Sequence, residues 1–320
     1  MDANALYPFL LEPSLHVIVW GGRKLETRLG KSLPTDQPYG EAWELHDSAV
    51  VSSGALAGQT VAALVRTYGT ALIGEGNDPA EGMPLLIKFL DANDWLSVQV
   101  HPNDAQAAAL EGQPRGKTEA WYVVDAAPGA RLINALKPGM TREMLADAVR
   151  QDRVRDVVQY IDVQIGDGLF MPAGTVHALG PGLLIYEVQQ SSSTTYRLYD
   201  WGRMGLDGKP RPLHVEKGTQ VADPDLRPAV TRGDGESVRI FESPYFCTVR
   251  HILHEDAVAL STGSRFQTVT VLDGALHIDT VAGSLDVPLG RTAFIPACIP
   301  SFSLSGAGTA LRSWQPARRL

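Results

Sequence analysis

The chain has 320 residues, 44% of them hydrophobic and 20% charged, a globular composition with enough apolar material for a core and a length that suggests about two domains. Its formal net charge is −8, and no basic run is longer than a few residues, which disfavours a phosphate-backbone partner, so no nucleic acid is expected. Two cysteines, Cys247 and Cys298, exclude a disulfide framework and an all-thiolate metal site.

Pro8, Glu12 and Pro13 interrupt the first apolar residues with no basic stretch ahead of them, which argues against a secretory signal. No run reaches the roughly 18 apolar residues of a membrane span. The expectation is a soluble cytoplasmic protein with no membrane partner. The next signal along the chain is Thr60, placed to cap a helix whose apolar residues Val61, Leu64, Val65, Tyr68 and Leu72 follow three-four spacing. Short apolar runs then predict strands at Leu85–Leu90, Trp95–His101 and Ala120–Val124. Thr141 is placed to cap a second helix, with Leu145, Val149, Val154 and Val158 on its apolar side. Strands are predicted again at Leu183–Gln189, Thr248–Leu253, Thr268–Ile278 and Thr292–Pro296. The turn-rich stretch Thr231–Ser237 is the best boundary. It divides residues 1–230, with a few helices inserted among strands, from an all-β segment 231–320.

Asp162–Ala173 aligns without a gap on Asp286–Ala297, with Asp, Val, Gly, Phe, Pro and Ala matched at an offset of 286 − 162 = 124. The alignment points to two related β units. Ser301 in the second stands where the first has His177, so the second unit is expected to lack the first one's chemistry.

That chemistry is legible in alternation. Ser97, Gln99 and His101 share one face of an extended chain, and Leu96, Val98 and Val100 the other. Lys117 and Glu119 likewise alternate onto one face, and His177 follows the turn made by Pro172 and Gly174. Gln99, His101, Glu119 and His177 make an N/O donor set that suits Zn²⁺, Fe²⁺ or Mn²⁺ and leaves positions open for water or substrate. Taken singly, each of these residues also has an ordinary structural account, such as a hydrogen-bonded histidine or a paired carboxylate. His251, His254 and His277 read as structural or solvated.

In these residues the chain resembles the type I mannose-6-phosphate isomerases, in the short bacterial form built on cupin barrels. The resemblance runs through Val19–Gly22, Gly40–Glu44, Leu96–Asp104, Gly116–Tyr122, Pro172–Gly180, Tyr186–Arg203 and Arg211–Lys217. It implies a mainly β fold of two cupin-like jelly-roll barrels with a few inserted helices. The metal-binding catalytic domain would span 1–230 and a metal-free one 231–320. It also implies one Zn²⁺ per chain on His101, Glu119 and His177, with Gln99 in addition. Arg197 would be catalytic and Glu187 would move protons. Generic cupins carry His-x-His where this chain has Gln99-x-His101, which favours an isomerase over an oxygenase.

The implied reaction interconverts D-mannose 6-phosphate and D-fructose 6-phosphate through a cis-enediol. Glu187 is the first choice of base, because a carboxylate screened from water can have its pKa raised toward working pH, and Lys117 is the second. Ser97, Lys117 and Arg203 are the candidate phosphate contacts. The alternatives are an isomerase of unphosphorylated mannose or of another sugar phosphate, and a sugar-phosphate-binding cupin without turnover.

Overall fold

The computed structural model describes residues 5–316. It is mainly β, as expected, with short helices between strands. Two large antiparallel sheets carry the structure. The first has seven strands in the order Val230–Thr231, Gly168–Met171, Glu119–Ala126, Leu183–Gln190, Leu85–Ala92, Tyr39–Leu45 and Ser14–Gly22. The second has eight, built on the long strands Cys247–Ser261, Gln267–Thr280 and Ser301–Trp314. It also takes in two strands from near the N-terminus, Phe9–Glu12 and Val50–Val51.

The strand Leu183–Gln190 is buried along its whole length, as is Leu85–Ala92 beside it. Such strands read as continuous apolar runs because both faces are covered. The polar exceptions inside them, Lys88, Asp91, Glu187, Gln189 and Gln190, therefore need partners. The face of the eight-stranded sheet that meets the first sheet is also partly polar. There Lys31 pairs with Glu44 at 2.7 Å and donates to the Gly290 carbonyl at 2.7 Å. Thr292 donates to Glu44 at 3.1 Å, and the Tyr186 and Ser313 hydroxyls lie 2.9 Å apart.

The helix capped by Thr60 forms over Val61–Tyr68, with the Thr60 hydroxyl accepting from the Ala63 N–H, but it stops at Gly69, whose φ is 52°, and Leu72 falls in a separate helical turn, Thr70–Ile73. The second helix is shorter than predicted. It runs Arg142–Arg150 under the Thr141 cap, and the chain then turns at Asp152 with a positive φ of 58°. Val154–Val157 is a separate helical turn, and Val158 begins a strand. The apolar spacing continued past Arg150 because both pieces bury the same side, not because they form one helix. The expected strand Trp95–His101 narrows to Val98–Val100, paired with Tyr196–Tyr199.

The two aligned segments take the same local shape. The strands Gly168–Met171 and Thr292–Ile295 begin 292 − 168 = 124 positions apart, each after a glycine of positive φ, Gly166 at 90° and Gly290 at 72°. No helix among the described residues is long and apolar enough to cross a membrane.

Candidate metal centre and active-site cavity

Four strands of the first sheet place a row of side chains side by side. Glu187 lies opposite Lys88 on one side and Trp121 on the other, and Lys88 lies opposite Trp43. Two residues along, Gln189 stands opposite Glu119. The small sheet brings in the rest. Gln99 is paired with Arg197, and Gln99 and His177 exchange backbone hydrogen bonds at 3.0 and 2.9 Å.

His101, Glu119 and His177 come together. One donor atom from each lies within 4.8 Å of the others, and all three side chains are buried. Each imidazole is oriented from behind. His101 Nδ1 donates to the Thr194 carbonyl at 2.9 Å, and His177 Nδ1 to the Thr175 carbonyl at 2.9 Å. A carbonyl can only accept, so both Nδ1 atoms carry the proton and both Nε2 lone pairs face the centre. Glu119 Oε1 is 3.2 Å from His177 Nε2 and has no hydrogen-bond partner of its own. The Gln99 amide end is 3.3 Å from His177 Nε2.

The electrostatics fit a cation. Burial, reinforced by the nearby Lys117 charge, pushes both imidazoles well below the usual histidine range, His177 to about 3. They are neutral ligands at any ordinary pH. Burial, then the Glu187 charge, pushes the Glu119 carboxyl upward in spite of Lys117. Two neutral imidazoles with a carboxylate short of positive charge are a donor set for a divalent ion. Lys117 lies against the same atoms, and its ammonium donates to His101 Nε2 at 3.0 Å and to the Glu119 carboxylate.

Above the cluster is a cavity of about 260 Å³ lined by Ser97, Gln99, Lys117, Glu187, Arg197 and Arg211, with Glu41, Lys88 and Trp121 among the remaining wall residues. Through Ser193 and Thr195 it adjoins a wider cleft of about 960 Å³. Of the residues singled out from the sequence, Ser97, Gln99, Lys117, Glu187 and Arg197 line the cavity, and His101, Glu119 and His177 form the cluster next to it.

Two sequence expectations change. Arg203 is not in the cavity wall. Its guanidinium is held by Asp200 at 2.9 Å and by Asp94 at 3.3 Å. Arg211, from the same loop, lines the cavity instead, while Asp200 accepts two of its bonds at 2.7 and 2.5 Å. Glu187 is not a carboxyl raised by burial. Burial does push it up, but the charges of Lys88 and Lys117 and the Trp121 indole bond outweigh that and pull it below its ordinary value. Arg197 donates to the Pro212 carbonyl at 3.0 Å and leaves its Nε without a partner. Burial, then the Arg211 charge, lowers its pKa, so the two guanidiniums feel one another.

Lys88, Trp121, Glu41 and Arg211 escaped the sequence reading. Lys88 had a signal, a lone charge inside Leu85–Leu90, an otherwise apolar run. Arg211 had only its place at the head of Arg211–Lys217, one of the stretches that carry the resemblance.

Comparison with known proteins gives the family. A family model described as "Phosphomannose isomerase type I, catalytic domain" matches residues 9–125. A second, "Mannose-6-phosphate isomerase, cupin domain", matches residues 237–315. A mannose-6-phosphate isomerase of Streptococcus mutans is 33% identical over 307 residues, covering 93% of this chain and 95% of the relative. A probable mannose-6-phosphate isomerase of Bacillus subtilis is 33% identical over 310 residues, covering 94% and 96%. The crystal structure of a Bacillus subtilis mannose 6-phosphate isomerase superposes with a TM-score of 0.86 at 26% identity, over 96% of this chain and 99% of that one.

Proposed function

The chain belongs to the type I mannose-6-phosphate isomerase family, and on that premise we propose that it interconverts D-mannose 6-phosphate and D-fructose 6-phosphate as a zinc-dependent aldose–ketose isomerase. The observation that supports this most strongly is the buried His101–Glu119–His177 cluster beside a polar cavity with Lys117 at their junction. His101, Glu119 and His177, with the Gln99 amide, would hold one Zn²⁺. A divalent ion held there would supply Lewis-acid stabilisation of the charge that develops on the sugar's oxygen.

The chain's own groups do the remaining work. In the open-chain aldose a proton leaves C2, and in the ketose it has arrived at C1. The group that carries it across the cis-enediol must reach both carbons from one face. Lys117 is our choice, because its Nζ lies where the cavity meets the ligand cluster, and a divalent ion held on those residues would favour the neutral amine that can take the proton. Glu187 takes the other role, holding Lys88 in place as a fixed positive charge facing the enediolate. Arg197 and Arg211 offer two guanidiniums in the cavity wall, which also includes Ser97, Ser193 and Thr195. We assign the 6-phosphate to these guanidiniums, since forked N–H donors match phosphate oxygens.

All of these residues fall within 1–230, which we assign as the catalytic domain. The segment 231–320 is assigned as a cupin-like β domain without a metal. A cytoplasmic setting suits both a phosphorylated sugar and two unbridged cysteines. A coupled assay for fructose 6-phosphate, run on stripped and zinc-reconstituted protein, tests the proposal. Turnover of mannose 6-phosphate is expected with zinc and not without it. Turnover that survives thorough chelation removes the metal, and none in any metal state removes the function.

A further inference from the structure

The segments that carry His101 and Glu119 are not joined by a sheet. The chain from Gly112 to Thr118 has no helix or strand, so Lys117 and Thr118 have no ladder of their own, and Glu119 is the first residue that the sheet holds, opposite Met171 and Gln189. Individual contacts hold the residues before it. The Lys117 N–H donates to the Pro102 carbonyl at 2.9 Å, and the Gly116 N–H to Asp104 Oδ1 at 2.8 Å. Gly116 approaches so closely that a Cβ there would stand 2.4 Å from the Asn103 carbonyl carbon.

Gln190 completes the set. Its N–H donates to the Thr118 carbonyl at 3.1 Å, and its side-chain oxygen accepts the Thr118 N–H at 2.9 Å. Its amide nitrogen donates to Asp104 Oδ1 at 2.8 Å. Asp104 Oδ2 accepts from the Tyr245 hydroxyl, at 3.2 Å, across from the C-terminal segment. Neither Asp104 nor Gln190 is among the cluster residues. Yet Asp104 is three residues from His101, and Thr118 is the residue before Glu119.

We propose that Asp104 and Gln190 are positioning residues that tie the His101 segment to the Glu119 segment and thereby set the affinity of the centre for its divalent ion. The proposal rests on the metal reading given above. Without the Asp104 carboxylate, the Gly116 N–H and the Gln190 amide lose one shared acceptor, and a segment with no ladder of its own is free to shift. The charge of Asp104 is not what matters. In Asp104→Asn the side-chain oxygen still accepts from both donors, and the new amide can donate to the Tyr245 hydroxyl. An asparagine therefore keeps the geometry that an alanine loses.

The test is zinc affinity of the stripped, full-length protein, measured by competition with a chromophoric chelator, beside the thermal unfolding of the same samples. Asp104→Ala and Gln190→Leu are expected to weaken zinc binding by roughly 10- to 100-fold, as loss of residues that orient metal ligands does elsewhere. Both should still unfold cooperatively when stripped, and Asp104→Asn should restore the wild-type affinity. If Asp104→Ala does not fold, Gln190→Leu and Asp104→Asn decide. A wild-type chain that takes up no divalent ion overturns the metal reading together with this one. A wild-type chain that binds zinc no better than Gln190→Leu, or Asp104→Asn that binds as badly as Asp104→Ala, overturns this proposal alone.

Discussion

Lys88 and Glu187 stand opposite one another on neighbouring strands, with the ammonium 3.1 Å from the carboxylate. The other carboxylate oxygen accepts the Trp121 indole N–H at 2.8 Å. A carboxylate held by an ammonium and an indole is stabilised in its charged form and is a poor base. Glu187→Gln should therefore slow turnover while exchange of the C2 proton with solvent continues. Lys117→Met should abolish that exchange and lower kcat by roughly 10²- to 10⁴-fold, the usual worth of a general base. Proton NMR of mannose 6-phosphate in D₂O with each variant distinguishes them. Loss of exchange in Glu187→Gln with exchange retained in Lys117→Met would return the base to Glu187.

Lys117 makes a second prediction with the opposite sign for binding. Its ammonium takes the His101 Nε2 and Glu119 atoms that a divalent ion needs. The ion and the ammonium compete for them. Replacing Lys117 by methionine removes the competitor and leaves Glu119 buried without its cation, at a cost of about 3–5 kcal/mol for a broken buried pair. The stripped variant should melt lower than stripped wild type. Added zinc should bind it more tightly and raise its melting temperature by more. Tighter zinc binding with lost turnover in one variant would separate holding the ion from moving the proton. Zinc binding weaker than in wild type would show that Lys117 supports the site.

The sequence made the ligand set legible because alternation in strands is a strong constraint. Gln99 and His101, and Lys117 and Glu119, share faces wherever the chain there is extended. It did not make the pairing across strands legible. That Glu187 meets Lys88 depends on register between segments about a hundred residues apart in the chain, and register is set by the whole sheet. The same holds for Arg203 and Arg211. Both sit in one polar loop and both bind Asp200, and only the loop's fold decides which guanidinium reaches the cavity wall. The helix drawn through Val158 failed for a local reason, the left-handed turn at Asp152, which apolar spacing does not report.

Arg211 and Arg203 give a paired test of the phosphate contacts. Arg211 lines the cavity beside Arg197, whereas Arg203 lies outside its wall and is held by Asp200 and Asp94. Arg211→Ala should raise KM for mannose 6-phosphate by roughly 10- to 100-fold, the range expected for losing a hydrogen bond to a charged group. Arg203→Ala should leave KM for mannose 6-phosphate much closer to wild type. Steady-state kinetics with the phosphorylated and the free sugar check this, because a phosphate contact costs only the former. Equal losses on both sugars would make Arg211 a structural partner of Asp200 and nothing more.

His251 predicts how stability responds to acid away from the site. Its side chain is buried, with Nδ1 3.0 Å from the Ser237 hydroxyl and Nε2 without a hydrogen-bond partner. Burial, helped by Arg312, holds its pKa at about 4, against 6.5 for an ordinary histidine. Between those values the unfolded chain binds a proton that the folded chain refuses, so acidification favours unfolding there. The contribution is fully present above pH 6.5 and is lost as pH falls toward 4. His277, raised by its 2.6 Å contact with Asp286, works in the opposite direction, so the comparison must isolate His251. In His251→Gln that acid-side loss is absent. Urea unfolding at pH 7.5 and pH 4.5 should show the stability gap between wild type and variant closing, or reversing, at the lower pH. A gap independent of pH would mean that His251 protonates as readily in the folded chain as in the unfolded one.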